Sequence, residues 1–82
     1  MIFKLFSIKD ELTGYAPVVP FLSNEEAKRY FKTHLEQTPL MISNPTDYSL
    51  WYIGTFDSES GTIICTANEM SLIERGEKHG NN

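Results

Sequence analysis

The chain has one cysteine, two histidines and no long apolar run. A lone Cys65 cannot close an intramolecular disulfide, and no Cys/His spacing matches a zinc site. Such sparse cysteine use fits a reducing compartment. The opening stretch, MIFKLFSIKDE, breaks its apolar residues with charges. Neither a signal peptide nor a transmembrane helix is therefore expected. Positive charge is also scarce: 7 Lys and Arg stand against 11 Asp and Glu, for a net charge of −4. A typical duplex-DNA binder is strongly basic, so the balance counts against that class. The 5 glycines form no phosphate-binding loop, and no internal repeat is visible.

What is present is enough for one small domain. At 82 residues and 40% hydrophobic content, the chain is expected to be globular. A domain of this size buries only about 60% of its unfolded surface, so its core is small.

The stretch Asn44 to Gly61, NPTDYSLWYIGTFDSESG, organises the rest. Asn44-Pro45 starts a turn, because proline fixes its own φ and biases the preceding residue away from helix. Tyr48 to Phe56 is aromatic and branched, which favours a strand. Asp57 to Gly61 is a polar turn ending in glycine. Thr62 to Thr66, TIICT, can pair back antiparallel.

Upstream, Ile2 to Lys9 reads as a strand. Ile2, Lys4, Phe6 and Ile8 share one face; Phe3, Leu5 and Ser7 share the other. Apolar residues on both faces predict an interior strand, or one covered on each side. Asp10 to Gly14 is a turn. Tyr15 to Leu22 is extended, and Pro17 and Pro20 make it an edge strand or an irregular extended segment. Ser23 and Glu26 form an S-x-x-E capping box, which predicts a helix from Asn24 to about Gln37. Ala27, Tyr30, Phe31, His34 and Leu35 make its buried stripe, with Glu25, Lys28, Arg29, Lys32 and Glu36 opposite. Thr38-Pro39 ends it, and Pro39 to Thr46 reads as a connecting loop. Ala67 to Ile73 reads as either a short helix or a last extended piece. Glu74 to Asn82 is polar.

The order is β-β-α-β-β. It predicts an α+β fold with a small antiparallel sheet of about four strands and one amphipathic helix. Residues 1–73 form the expected single domain, and 74–82 a flexible C-terminal tail. Four strands span about 19 Å at 4.8 Å spacing, whereas a helix is only about 10–12 Å across. One helix therefore leaves apolar sheet surface to be covered by loops, a second chain or a ligand. A homodimer is expected, joined through the aromatic strand surface or the N-terminal strand.

No catalytic constellation, metal set or cofactor motif emerges. His34 sits at the edge of the helix stripe, where packing explains it. His79 lies in the tail. Cys65 follows Ile63-Ile64, where cysteine acts as a small hydrophobe. Asp57 and Glu59 share a hairpin turn, where carboxylates serve local hydrogen bonds. Lys28, Arg29 and Lys32 are the densest basic group, but Glu25–Arg29 and Lys32–Glu36 are i, i+4 pairs. A solvated, salt-bridged face explains them, with phosphate contact as the alternative. The aromatics concentrate in the sheet, and exposed rings can stack on unpaired bases for about 1–3 kcal/mol each. The candidate nucleic-acid-binding residues are thus Lys28, Arg29 and Lys32 for phosphate, with Trp51 or Tyr52 for stacking. Lys4, Lys9, Arg75 and Lys78 stand in reserve.

Three passages carry a family resemblance: KLFSIKDELTGYAPVVPF, the helix after Ser23, and NPTDYSLWYIGTFDSESGTI. The key positions are Asn44, Pro45, Asp47, Tyr48, Ile53, Gly54, Phe56 and Asp57. Over about residues 3 to 70 the chain resembles the small non-structural protein of icosahedral single-stranded-DNA phages of the Microviridae, gokushovirus branch. The resemblance implies a protein made during infection, in the host cytoplasm, that is not part of the capsid. It implies a role in genome replication or packaging and contact with single-stranded DNA. It carries no active-site set. The expected protein is therefore a non-enzymatic phage accessory protein without cofactor or membrane association. The alternative is a protein–protein adaptor for the replication initiator or procapsid, with no nucleic-acid contact.

Overall fold

A computed structural model describes residues 1–65 and 71–77. The chain runs β1 (Ile2–Asp10), β2 (Gly14–Tyr15), β3 (Val19–Phe21), α1 (Asn24–Gln37), α2 (Pro39–Ser43), a 3-10 turn (Pro45–Asp47), β4 (Tyr48–Asp57), β5 (Ile63–Cys65) and β6 (Ser71–Arg75). The fold is α+β, a six-stranded antiparallel sheet carrying one main helix.

The six strands occupy four lanes. β1 and β4 lie side by side at the centre, in register from Ile2↔Asp57 to Asp10↔Tyr48. β2 and β3 divide the outer lane beside β1, and β5 and β6 divide the outer lane beside β4. The prolines account for the split of the first lane. Pro17 and Pro20 have no N–H to give, so the segment pairs only in short pieces. β1 is interior, as its two apolar faces require.

α1 begins where the capping box places it. The Ser23 hydroxyl accepts from the Glu26 N–H at 3.2 Å, while the Glu26 carboxylate reaches past Ser23 to the Leu22 N–H at 3.0 Å. The apolar stripe lands on the sheet. Ala27 and Phe31 are fully buried and pack with Phe6, Met41 and Leu50. Ile8, Phe21, Leu35, Tyr48, Tyr52 and Ile73 ring that cluster. His34 is half-buried, its Nδ1 3.0 Å from the Tyr30 carbonyl and its ring tilted against the Tyr30 ring, centres 4.2 Å apart.

The expected loop after α1 is helical instead. Pro39 occupies the first turn of α2. There its missing N–H costs nothing and its fixed φ suits a helix. Met41 is thereby buried against α1's cluster.

The extended alternative holds for the described end of the ambiguous segment, since Ser71–Arg75 pairs with β4. β6 includes Glu74 and Arg75 of the expected tail. Gly76 follows, buried where a Cβ would run into the Pro45 carbonyl oxygen. The rest of that tail, 78–82, and the stretch 66–70 lie outside the described residues.

One irregularity re-aims the central strand. Tyr52 pairs with Phe6 but Gly54 pairs with Leu5, which leaves Ile53 as an extra residue. A one-residue bulge moves everything beyond it to the other face. Leu50 and Tyr52 point to α1, whereas Trp51, Gly54 and Phe56 share the opposite face with Ser7, Leu5 and Phe3.

Candidate nucleic-acid interface on the open sheet face

The face turned away from α1 has no helix over it among the described residues. The molecule is only 18 Å through its thinnest dimension, room for one sheet and one helix layer. Alternation along β1 puts Phe3, Leu5, Ser7 and Lys9 on this face. Pairing adds Tyr15 beside Lys9, Trp51 beside Ser7, Leu72 beside Trp51, and Arg75 beside Ser49.

The large rings lie across small residues. Ser7 and Ser49 are buried although no helix of the described residues lies over them. The Trp51 Nε1–H donates to the Ser49 hydroxyl at 2.8 Å, which ties the indole down over the strand. The Ser7 hydroxyl donates to the Ala16 carbonyl at 2.7 Å and anchors the segment after β2. Tyr15 meets Trp51 edge-on, with ring centres 6.2 Å apart. Further along, Phe3 and Phe56 stack at 6.5 Å. On the paired strand their partners Ser7 and Phe3 are four steps apart, which sets Trp51 and Phe56 about 13 Å apart at 3.3 Å per residue.

The cations gather at the Trp51 end. The Lys9 ammonium sits 5.5 Å from the Tyr15 ring centre and 5.9 Å from that of Trp51. Glu11 lies 4.0 Å from Lys9 and 3.6 Å from Arg75. Both pairs are solvent-accessible, and such pairs contribute only about 0–1 kcal/mol. Glu11 nevertheless sits between the two cations and competes with any anion there, as the carboxylates around Lys32 do. Beside this cluster, burial and the Asp10 carboxylate hold the Tyr48 phenol above its ordinary pKa. At the far end of the sheet, the Glu59 N–H lowers the Asp57 carboxyl below its ordinary value. Asp57 accepts that bond at 2.9 Å, and it serves the hairpin turn.

The five candidates from the sequence do not come together. Trp51 is on the open face. Tyr52 is on the other, 5.8 Å from Phe6 and packed on the core. Lys28, Arg29 and Lys32 ride on α1, in the layer behind Tyr52. Lys32 also borders a cleft of about 590 Å³ whose lining includes Arg75 together with Glu36, Glu74 and Glu77. Those carboxylates compete with any anion.

Lys9, Tyr15 and Arg75 are the functional candidates that the sequence left in reserve or unassigned. Part of the signal was there. Adjacent strand residues alternate faces, so Trp51 and Tyr52 cannot serve one platform. The odd-numbered face of β1 also extends to Lys9. Arg75 required the pairing of β6. Among the described residues, no cluster of three or more His, Cys, Asp and Glu could hold a metal. No described helix is long and apolar enough to cross a membrane.

No curated protein and no solved structure matches the chain. A family model, that of the Phage ORF5 protein, matches residues 3–78. The match takes in both helices and, Ile2 apart, all six described strands, and the chain belongs to this phage protein family.

Proposed function

We propose that the protein is a non-enzymatic phage accessory protein that binds single-stranded DNA on the open face of its sheet. The supporting observation is Lys9, set over the rings of exposed Tyr15 and half-buried Trp51, with Arg75 on the same face. Rings supply sequence-tolerant stacking and the two cations supply phosphate contact. The net charge of −4 rules out broad electrostatic capture, so contact is local. A role in genome replication or packaging, in the host cytoplasm of a Microviridae-type infection, is the setting that the motif resemblance supports.

The test is anisotropy of labelled oligothymidine at low and physiological salt, with Trp51 fluorescence read in parallel. Saturable binding is expected, with quenching of the single tryptophan. About two phosphate contacts give a shallow salt slope near −1.4, at roughly −0.7 per contact. Lys9→Glu with Arg75→Glu should weaken binding at least tenfold, while charge reversal at Lys28, Arg29 and Lys32 leaves it unchanged. The opposite pattern would move the site to α1.

A second reading is favoured by the apolar exposure of the same side. Ile63 is 59% exposed and Leu72 43%. Such residues suit a protein partner in the replication or assembly machinery. A flat DNA titration at low salt would select that adaptor.

A further inference from the structure

The two outer lanes of the sheet end differently. On the β3 side, Pro17 and Pro20 blunt the edge. On the other side β5 itself carries no proline and no charge, and Ile63, Ile64 and Cys65 are all exposed, while the charges of that lane, Glu74 and Arg75, lie on β6. An unblunted apolar edge is a template for another strand.

The hydrogen-bond phase of β5 follows from the hairpin. The Asp57 N–H donates to the Thr62 carbonyl at 2.9 Å, so Thr62 faces β4. Bonding direction alternates along an antiparallel strand. Ile64, opposite Thr55, therefore also bonds inward. Ile63 and Cys65 direct their N–H and C=O groups outward, where no described residue meets them.

We propose that β5 pairs antiparallel with β5 of a second copy, about a two-fold axis through Ile64. The phase is self-complementary. Ile63 of each copy faces Cys65 of the other, and four backbone hydrogen bonds close at once. Ile64 meets its own counterpart in a non-hydrogen-bonded pair, the closer kind, with Cα atoms about 4.5 Å apart. The symmetric pairing consumes both β5 edges together, whereas a head-to-tail arrangement leaves one open and propagates. Three residues make a contact only about 10 Å long. The interface falls short of the roughly 800 Å² per partner of a standard complex, so the dimer is reversible and concentration-dependent. A two-fold axis normal to the sheet keeps both open faces on one side.

The pairing stands independently of DNA and is tested without it. The double variant Ile64→Cys, Cys65→Ser places one thiol directly at the axis, within disulfide reach. Mild oxidation should convert it to a covalent species of twice the 9.4 kDa chain mass. Native Cys65 lies two positions off its counterpart, beyond the roughly 7 Å limit, and should cross-link at least tenfold more slowly. Equal rates would overturn the register. Sedimentation of the native chain should show a monomer–dimer equilibrium. Ile63→Pro removes an outward N–H without touching the bonds to β4 and should raise the dissociation constant at least tenfold. A native chain that stays monomeric at high micromolar concentration, or a folded Ile63→Pro chain that dimerises normally, overturns the proposal. If Ile63→Pro fails to fold, the cross-linking rates decide.

Discussion

The two faces of this sheet are built from the same two central strands, yet they do different work. Toward α1, Phe6 and Leu50 are sealed against Ala27 and Phe31, and no cation takes part in the cluster. Away from α1, the rings of Tyr15, Trp51, Phe3 and Phe56 lie over serines and a leucine, with Lys9 set among them. The first face gains stability from close packing. The second keeps part of each ring in solvent. A single-layer sheet with one helix has surface enough to do both, and the helix decides which side is which.

The contrast is broken most directly in the core. Phe31→Ala should cost about 3–5 kcal/mol through lost contacts and a residual cavity. Small domains have total stability near 5 kcal/mol, so urea titration should show little cooperative folding. Phe56→Ala on the open face should cost less in total, because the half-buried ring leaves no closed cavity and its pairing with Phe3 is worth only about 0.5–1.5 kcal/mol of the loss. Equal losses would erase the distinction between the faces.

Gly54 tests how tightly the β5 lane is drawn in. A Cβ there would run into the Ile64 carbonyl oxygen, a backbone atom that cannot swing away. Gly54→Ala should destabilise by about 1–3 kcal/mol. Amide exchange should rise first across β4 and β5 while α1 stays protected. Uniform loss of protection would show that β5 and the helix layer open together.

Ser23→Ala sharpens the helix side. It leaves the Glu26 N–H without its side-chain acceptor and should cost about 0.5–2 kcal/mol, read as a lower melting temperature. Trp51 fluorescence in the folded chain should not change, because the indole belongs to the other face. A shifted spectrum would mean that the helix start supports the open face too.

The smallest effect concerns pH. The Glu59 N–H lowers the Asp57 pKa in the folded chain. A depressed folded pKa contributes stability that is present above the unfolded value and lost as pH falls through the folded value. The window therefore lies below about pH 4. Melts between pH 6 and 3 should fall less steeply for Asp57→Asn than for the native chain. Identical slopes would remove Asp57 from the hairpin's pH response.

Much of the architecture is local and was legible for that reason. Ser23, Glu26 and Pro39 mark the ends of α1 within a turn of helix. Asp57 to Gly61 defines the hairpin, and Gly61 takes the left-handed φ of 74° that the turn demands. Apolar residues on both faces of Ile2–Asp10 placed it inside the sheet. The site was less legible, because it depends on strands meeting across the chain. Lys9 reaches Trp51 only once β1 and β4 pair, and Arg75 joins them only through β6.

The residues by themselves determined the helix, the hairpin, the proline-blunted edge and the surplus of apolar sheet surface. Each is a matter of capping, turn chemistry or side-chain alternation over a few positions. Only the tertiary structure decided which face stays open and what stands on it. Strict alternation would put Phe56 with Tyr52, under the helix. The extra residue at Ile53 shifts the register by one and carries Gly54 and Phe56 to the Trp51 side. A bulge is set by how two distant strands settle against each other and against α1, and no short window of sequence contains that negotiation.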